Sequence, residues 1–442
     1  MRLLTFHGGI HPPENKEITE GIRIEKAPLP SRVVIPISQH IGAPSKVVVM
    51  EGDEVKTGQV IAEASGFVSV PQHSSITGKV VKIGKMPHPT AGKMDAVVIE
   101  RTGDDEWDLL EPHEGFGKFG STELKSRIRD AGIVGMGGAG FPTHVKLSPP
   151  ENKPIDTLII NGAECETYLT ADHHLMLEHA EEVVRGTQIL MKILNLKKAY
   201  IGVENNKMDA VREMEQVCKD KSIEVVVLKT KYPQGGEKNL IKAITGREVP
   251  ANGGLPFDVG VVVQNVGTAF AIYEAVEKGK PLVERVVTIS GRGIKNPANL
   301  LVRIGTTFSD IINFCGGLKG NVEEVISGGT MMGFAQTDLE TPVLKGTSGI
   351  LFLTSNEISK PQDRVCIRCG RCITHCPVGL EPTTIVELIR HRRFDEAANI
   401  GLMDCIECGV CAYICPAKID HVRYIRRGKK VISALRKGAK KK

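Results

Sequence analysis

The sequence predicts a multidomain α/β protein with a β-rich N-terminal module and a helical C-terminal module. Three observations carry that prediction. Short strand patterns with turn signals fill residues 31–100, helix and strand alternate over 121–270, and eight cysteines fall in two equal runs between 366 and 415. At 442 residues the chain has room for about three domains of ordinary size.

The composition is that of folded protein, 41% hydrophobic and 25% charged. Aromatics make up only 4%, so the cores must rest on Val, Ile and Leu. A net charge of +5 is mild and calls for no nucleic-acid partner. No run approaches the ~18 apolar residues of a membrane-spanning helix. The start, Met1 to His7, passes into Gly and Pro without an apolar region, so no secretory signal and a cytoplasmic protein are expected.

Taken in order, strands are predicted at 31–36, 45–50, 59–63, 66–70, 78–83 and 96–100, separated by Glu51-Gly52-Asp53, Thr57-Gly58 and Thr77-Gly78. A helix follows at 122–131, then a buried strand at 155–161 and a long helix at 174–194. A strand at 198–203, a helix at 206–219, a strand at 223–228 and a helix at 237–245 complete an α/β domain of the nucleotide-binding sort. A smaller α/β unit has strands at 285–290 and 323–327 and a helix at 309–315. Helices at 383–392 and 394–400 separate the cysteine runs, and a basic tail closes the chain from 426 to 442. The predicted domains are 1–115, 116–280, 281–356 and 357–425, with that tail beyond.

Eight of the eleven cysteines spell Cys366-x2-Cys369-x2-Cys372-x3-Cys376-Pro377 and Cys405-x2-Cys408-x2-Cys411-x3-Cys415-Pro416. Three closely spaced thiolates wrap one iron–sulfur cube, and the fourth, before proline, reaches the other cube. Cys366, Cys369, Cys372 and Cys415 are therefore assigned to a first [4Fe–4S] cluster. Cys405, Cys408, Cys411 and Cys376 are assigned to a second. Zinc, which takes two CxxC pairs, would leave half of these thiols unexplained. Arg364, Arg368, Arg371 and His375 flank the first run, Asp404 and Glu407 the second. Positive charge favours the reduced cluster, so the first is expected at the higher potential.

The second strong signal is the glycine loop from Gly132 to Thr143. Gly135, Gly137 and Gly140 satisfy GxGxxG, but a helix precedes them where a dinucleotide fold has a strand. The chemistry is still that of a phosphate cradle, because glycines let backbone N–H groups approach an anion closely. Lys146 is placed to supply a counter-charge.

Four partial resemblances follow from these motifs. The phrase from Gly52 to Glu63 resembles the lipoyl/biotinyl hammerhead family, yet 64–70 lacks the lysine that carries the prosthetic group there. The hammerhead fold is therefore expected without the carrier function. The order of the 282–355 unit resembles a β-grasp ligand-binding module, and the long helical spacer between the cysteine runs resembles helical dicluster ferredoxin modules. The glycine loop, Asn161-Gly162-Ala163-Glu164, Gly235-Gly236-Glu237 and Gln264 to Thr268 come in the order seen in the NADH-binding flavoprotein subunit of complex I.

With Gly8-Gly9-Ile10-His11-Pro12-Pro13 added, the whole chain resembles the C subunits of Rnf-type membrane-bound ferredoxin:NAD oxidoreductases. That resemblance implies a Rossmann-like domain holding FMN and binding NAD(H). Gly135, Gly137, Gly138, Ala139, Gly140 and Lys146 would line the FMN, and Asn161, Glu164 and Asn265 would hold it. Phe141 would face the adenine, Glu166 a ribose hydroxyl, and Glu237 the reacting rings as catalytic residue. Met136, Ala163, Lys238 and Pro149 depart from the complex I pattern, the last replacing an aromatic. A flavin suits the pairing because it accepts a hydride yet passes single electrons. Membrane subunits and a ferredoxin-like iron–sulfur subunit are the implied partners, on the cytoplasmic face of the cell membrane. The related soluble flavoprotein of a bifurcating hydrogenase or dehydrogenase is the alternative. The basic tail suits an anionic membrane or an acidic partner, and equally a solvated end.

Overall fold

The computed structural model describes residues 3–439 apart from 112–114, 139, 219–221, 360, 361 and 363. Two small antiparallel sheets build the N-terminal module. One orders Arg32–Pro36, Gly92–Arg101, Gly78–His88 and Glu54–Val55; the other orders Lys46–Val47, Val60–Glu63 and Gln72–His73. Val33, Ile35, Ile61, Ile76, Val80, Val97 and Ile99 fill the space between them. Residues 66–70 form no strand, and the expected strands at 78–83 and 96–100 are parts of one long hairpin.

The central sheet is fully parallel, in the order Ile223–Leu228, Ala199–Glu204, Thr157–Gly162, Val261–Asn265. Both faces are covered, which is why its strands read as continuous apolar runs. Leu158 and Ile160 pack with the helices Ala180–Leu194 and Val266–Glu277, while Ile159 packs on the other face with Leu240 and Ile241 of the helix Glu237–Thr245. The helix expected over 174–194 is two helices, Ala171–Glu178 and Ala180–Leu194, because His179 leaves helical geometry at φ −135° and ψ 36°.

A six-stranded mixed sheet follows, centred on Glu284–Ser290 and Gly349–Thr354. Its edge strand, Ile24–Lys26, comes from the start of the chain and pairs in parallel with Ala298–Arg303. The C-terminal module is helical. Ile385 and Ile389 of Pro382–Arg390 meet Leu402 and the buried Ile425 and Ile432 of His421–Ala439. The stretch expected as a basic tail is thus mostly this helix. Its apolar stripe is buried, and its cations stand on the remaining faces.

An N-terminal strap ties the modules together. Leu4 bridges to Leu228 and Ile10 to Tyr232, and Gly9 N–H donates to His375 O at 2.8 Å. Gly8 has φ +76°, and a Cβ there would lie 2.7 Å from Cys376 O, so only glycine passes. Lys16 is buried and its ammonium donates to the carbonyls of Glu164, Glu166 and Leu169.

Candidate functional site

In an open parallel sheet ligands bind beyond the carboxyl ends of the strands, where the strand order reverses. Here that point lies between Thr157–Gly162 and Val261–Asn265, and it sets Asn161 and Asn265 opposite each other in register. The glycine loop lies over this crevice. Gly137 sits so close to Asn265 that an added Cβ would meet its amide nitrogen at 2.8 Å. Gly135 N–H closes the loop on Phe141 O at 2.9 Å, and Met136 N–H on Thr268 Oγ1 at 3.0 Å. Among the described residues the N–H groups of Gly137 and Gly138 take no acceptor, and a side chain at Gly138 would meet open space. A loop with such donors to spare can cradle an anion, and its chemistry fits the phosphate of a flavin mononucleotide. Ala139 lies outside the described residues.

Lys146 and Glu237 are distant in sequence and meet at 2.5 Å. Glu237 opens the helix Glu237–Thr245, where its carboxylate also suits the positive end of the helix dipole. The other polar candidates already hold the fold. Asn161 donates to Gly235 O at 2.8 Å and accepts from Ala163 N–H at 3.1 Å. Glu164 is buried and accepts from Asp172 N–H at 3.0 Å and His173 N–H at 3.3 Å, at the start of the helix Ala171–Glu178. Asn265 caps the helix Val266–Glu277 through Gly267 N–H at 2.8 Å and donates to Asp172 Oδ2 at 2.7 Å. Burial and the nearby Glu164 carboxylate push the Asp172 carboxyl well above the usual range. Glu166 accepts from Met331 N–H at 3.1 Å and Met332 N–H at 3.0 Å, so its carboxylate faces a turn of the next module. Burial raises it to about 7.

One wall of the loop was not foreseen from sequence. Phe67, 66% exposed, sets its ring edge-on to His144 at 5.9 Å, and its carbonyl lies 2.9 Å from His144 Nε2. Ile41 N–H donates to Gly140 O at 3.1 Å. Phe67 occupies the stretch where a hammerhead carrier would bear its lysine, and that was the only signal available.

The eight cysteines divide as the spacing predicts. Cys366, Cys369, Cys372 and Cys415 line one cavity, and Cys376, Cys405, Cys408 and Cys411 another. Among the described residues no three of His, Cys, Asp and Glu converge as a single metal ion requires. Thiols arranged around a void fit a cube instead. The second set is pressed against the central domain. Tyr232, 2% exposed, donates its hydroxyl to Cys408 O at 2.8 Å, and Ile10, Cys165 and Met331 pack with Val410 around it. The charge contrast read from sequence shrinks here, because Glu407 pairs with Arg426 at 2.9 Å and Lys429 at 2.8 Å.

Comparisons with known proteins follow the same division. Family models match for the RnfC barrel sandwich hybrid domain over 4–104, the Nuo51 FMN-binding domain over 128–274, the SLBB domain over 286–335 and the 4Fe-4S dicluster domain over 359–416. The C subunit of the proton-translocating ferredoxin:NAD(+) oxidoreductase complex of Clostridium ljungdahlii is 52% identical over 96% of this chain and 93% of its own length. The C subunit of the Na(+)-translocating complex of Acetobacterium woodii is 48% identical over 98% of each. The C subunit of the ion-translocating oxidoreductase complex of Rhodobacter capsulatus is 41% identical over 91% of this chain and 78% of its own. Among solved structures, a chain of the NAD+-reducing [NiFe]-hydrogenase in its H2-reduced state superposes with a TM-score of 0.50 at 17% identity. It covers 71% of this chain and 63% of that one, a likeness of fold alone. FMN, two [4Fe–4S] clusters and NAD(H) are the cofactor set these domains and residues specify. Ancestry, domain order and cysteine geometry coincide, and the chain belongs to the family of C subunits of the ion-translocating ferredoxin:NAD(+) oxidoreductase complexes.

Proposed function

We propose that this chain is the peripheral NAD(H)-reactive subunit of a membrane-bound, ion-translocating ferredoxin:NAD oxidoreductase, seated on the cytoplasmic face of the cell membrane. Among the described residues no helix is long and apolar enough to cross a membrane; ion translocation is assigned to partner subunits. The observation that carries the reading is the Tyr232–Cys408 hydrogen bond. It fixes the second cysteine set beside Gly235-Gly236-Glu237, the segment that starts the helix facing Lys146.

When bound, FMN exchanges a hydride with NAD(H) and single electrons with iron–sulfur clusters. Gly137 and Gly138 would hold its phosphate through their N–H groups, with Gly135, Ala139 and Gly140 shaping the loop and Lys146 adding positive charge. Asn161, Glu164 and Asn265 support the crevice by fixing the backbone around it. Glu237 stands at the crevice mouth, where it orients the reacting rings. Phe141 and Phe67 offer aromatic faces to the adenine, with Phe67 standing in for the aromatic absent at Pro149. Glu166 is assigned to a ribose hydroxyl in the NADH-bound state, in competition with its contacts to Met331 and Met332. The modules run 1–115, 116–280, 281–356 and 357–425, with a basic tail over 426–442 of which 426–439 belong to the last helix, and 24–26 crossing to the third module.

The test is anaerobic. The protein, loaded with clusters and FMN, is mixed with NADH while flavin absorbance and cluster EPR are followed together. Flavin bleaching by NADH is expected. Clusters reducible by dithionite beside a flavin that NADH leaves oxidised would overturn the reading.

A further inference from the structure

Two buried cations from the module over 281–356 hold the carbonyls of the glycine loop. Arg285, in the strand Glu284–Ser290, is 4% exposed, and its Nη1 donates to Lys345 O at 2.6 Å and to Met136 O at 3.4 Å. Lys345, 1% exposed, donates through Nζ to Gly132 O at 2.9 Å and to Pro71 O at 3.0 Å. Gly132 has φ +69°, and a Cβ there would lie 2.7 Å from that ammonium, so the loop starts hard against it. The residue after Lys345 also reaches the loop, since a Cβ on Gly346 would lie 3.9 Å from Gly138 O. Among the described residues no carboxylate pairs with Lys345. Burial lowers Lys345 to about 7, and it lowers Arg285 to about 10 although Asp172 and Glu164 draw it the other way. Two buried cations are costly in such a place unless an anion offsets them.

The peptide unit between Met136 and Gly137 is planar and trans, so its C=O and N–H point to opposite sides. Arg285 takes the carbonyl. The N–H on the other side is that of Gly137, which has no acceptor among the described residues. We propose that Arg285 and Lys345 are positioning residues for the flavin phosphate, holding the loop's carbonyls so that its free N–H groups face the crevice and placing positive charge behind them. The proposal rests on the reading of this loop as the FMN site. Both residues act through the loop. Backbone N–H groups bind an anion best when their direction is fixed beforehand, and a nearby charge counts for more in a buried setting than in water. FMN and riboflavin differ by the phosphate alone. A role toward the phosphate therefore affects FMN and spares riboflavin, whereas a general support of the fold affects both.

The test uses the full chain with its clusters, freed of flavin, and titrates it anaerobically with FMN and with riboflavin by fluorescence quenching. The wild type is expected to prefer FMN. Arg285→Met and Lys345→Met should each weaken FMN binding about tenfold or more and leave riboflavin binding within about threefold. Lys345→Gln keeps a donor and removes the charge, and it should lose FMN affinity as Lys345→Met does. Cluster EPR intensity and circular dichroism report which variants are folded, and the milder Gln variant keeps the comparison open if a Met variant is not. Equal weakening of both flavins would show a support of the fold and overturn the proposal. So would FMN affinity within about threefold of wild type in the folded variants. A wild type that binds FMN no better than riboflavin, or that binds neither, would instead refute the assignment of the loop to the flavin phosphate.

Discussion

Replacing Tyr232 by Phe removes one hydroxyl and keeps the ring. That hydroxyl donates to Cys408 O at 2.8 Å from a residue 2% exposed. Burial holds its proton well above the ordinary tyrosine range, so it remains a donor at any working pH. In its absence the carbonyl faces the apolar neighbours Ile10 and Val410. A buried carbonyl stripped of its donor costs about 1–3 kcal/mol. The cost falls on the docking of the 405–411 loop, because the phenyl ring still packs and the sheet cores lie elsewhere. In native-state exchange, that energy corresponds to amides opening roughly 5- to 150-fold more often. The assay is anaerobic hydrogen–deuterium exchange on peptides covering 403–414, with the helix Pro382–Arg390 as internal control. Faster exchange confined to 403–414, at unchanged FMN content, is expected. Exchange within about twofold of wild type there would refute the docking role, and so would equal acceleration in the control helix.

Four further outcomes follow from contacts described above. Gly137→Ala should drive a Cβ into Asn265, costing about 1–3 kcal/mol and lowering the FMN retained on purification, as read by released-flavin fluorescence. Phe67→Ala should weaken NADH binding about 3- to 10-fold by titration at unchanged FMN content, and Phe67→Tyr should restore it. Lys16→Met should leave the carbonyls of Glu164, Glu166 and Leu169 without their donor, costing about 2–4 kcal/mol in denaturant unfolding. Glu166 makes stability pH-dependent. Its folded carboxyl is raised from 4.5 to about 7, so the unfolded chain loses that proton first. The contribution is full below pH ~4.5 and is lost as pH rises through about 7, amounting to roughly 3 kcal/mol; Glu166→Gln should flatten that segment of the stability profile.

What was legible in the sequence was what local chemistry determines. Glycine stands at both ends of Glu237–Thr245, and that helix was read to the residue. The division of cysteines between two cavities followed from spacing alone. The rest depended on distant neighbours. Ile24–Lys26 is too short to signal its own conformation, and its partner strand lies on the far side of two modules. Glu164 was assigned to the flavin by resemblance, and its contacts with Asp172 and His173 N–H show the helix-start role that its carboxylate also suits. Asn265 was read only as part of the 264–268 motif, and its capping of the helix Val266–Glu277 through Gly267 N–H was not foreseen. The charge contrast between the cysteine runs misjudged Glu407 because its two cations arrive from the last helix. That helix itself was obscured by its many lysines and arginines, although Ile425 and Ile432 already marked one face.

The N-terminal strap bears on how this molecule is made. The residues from Leu4 to Lys26 leave the ribosome well ahead of their native partners, Leu228, Tyr232, Ala298–Arg303 and His375. Gly9 cannot find its acceptor until some 365 further residues, from 10 to 374, have been synthesised. Domains of large proteins ordinarily fold in turn from the N-terminus, and contacts this distant in sequence slow folding. For this chain an early segment is among the last to be seated. Closure of the strap over the second cysteine run, where Ile10 packs with Cys408 and Val410, therefore comes only after that run has emerged.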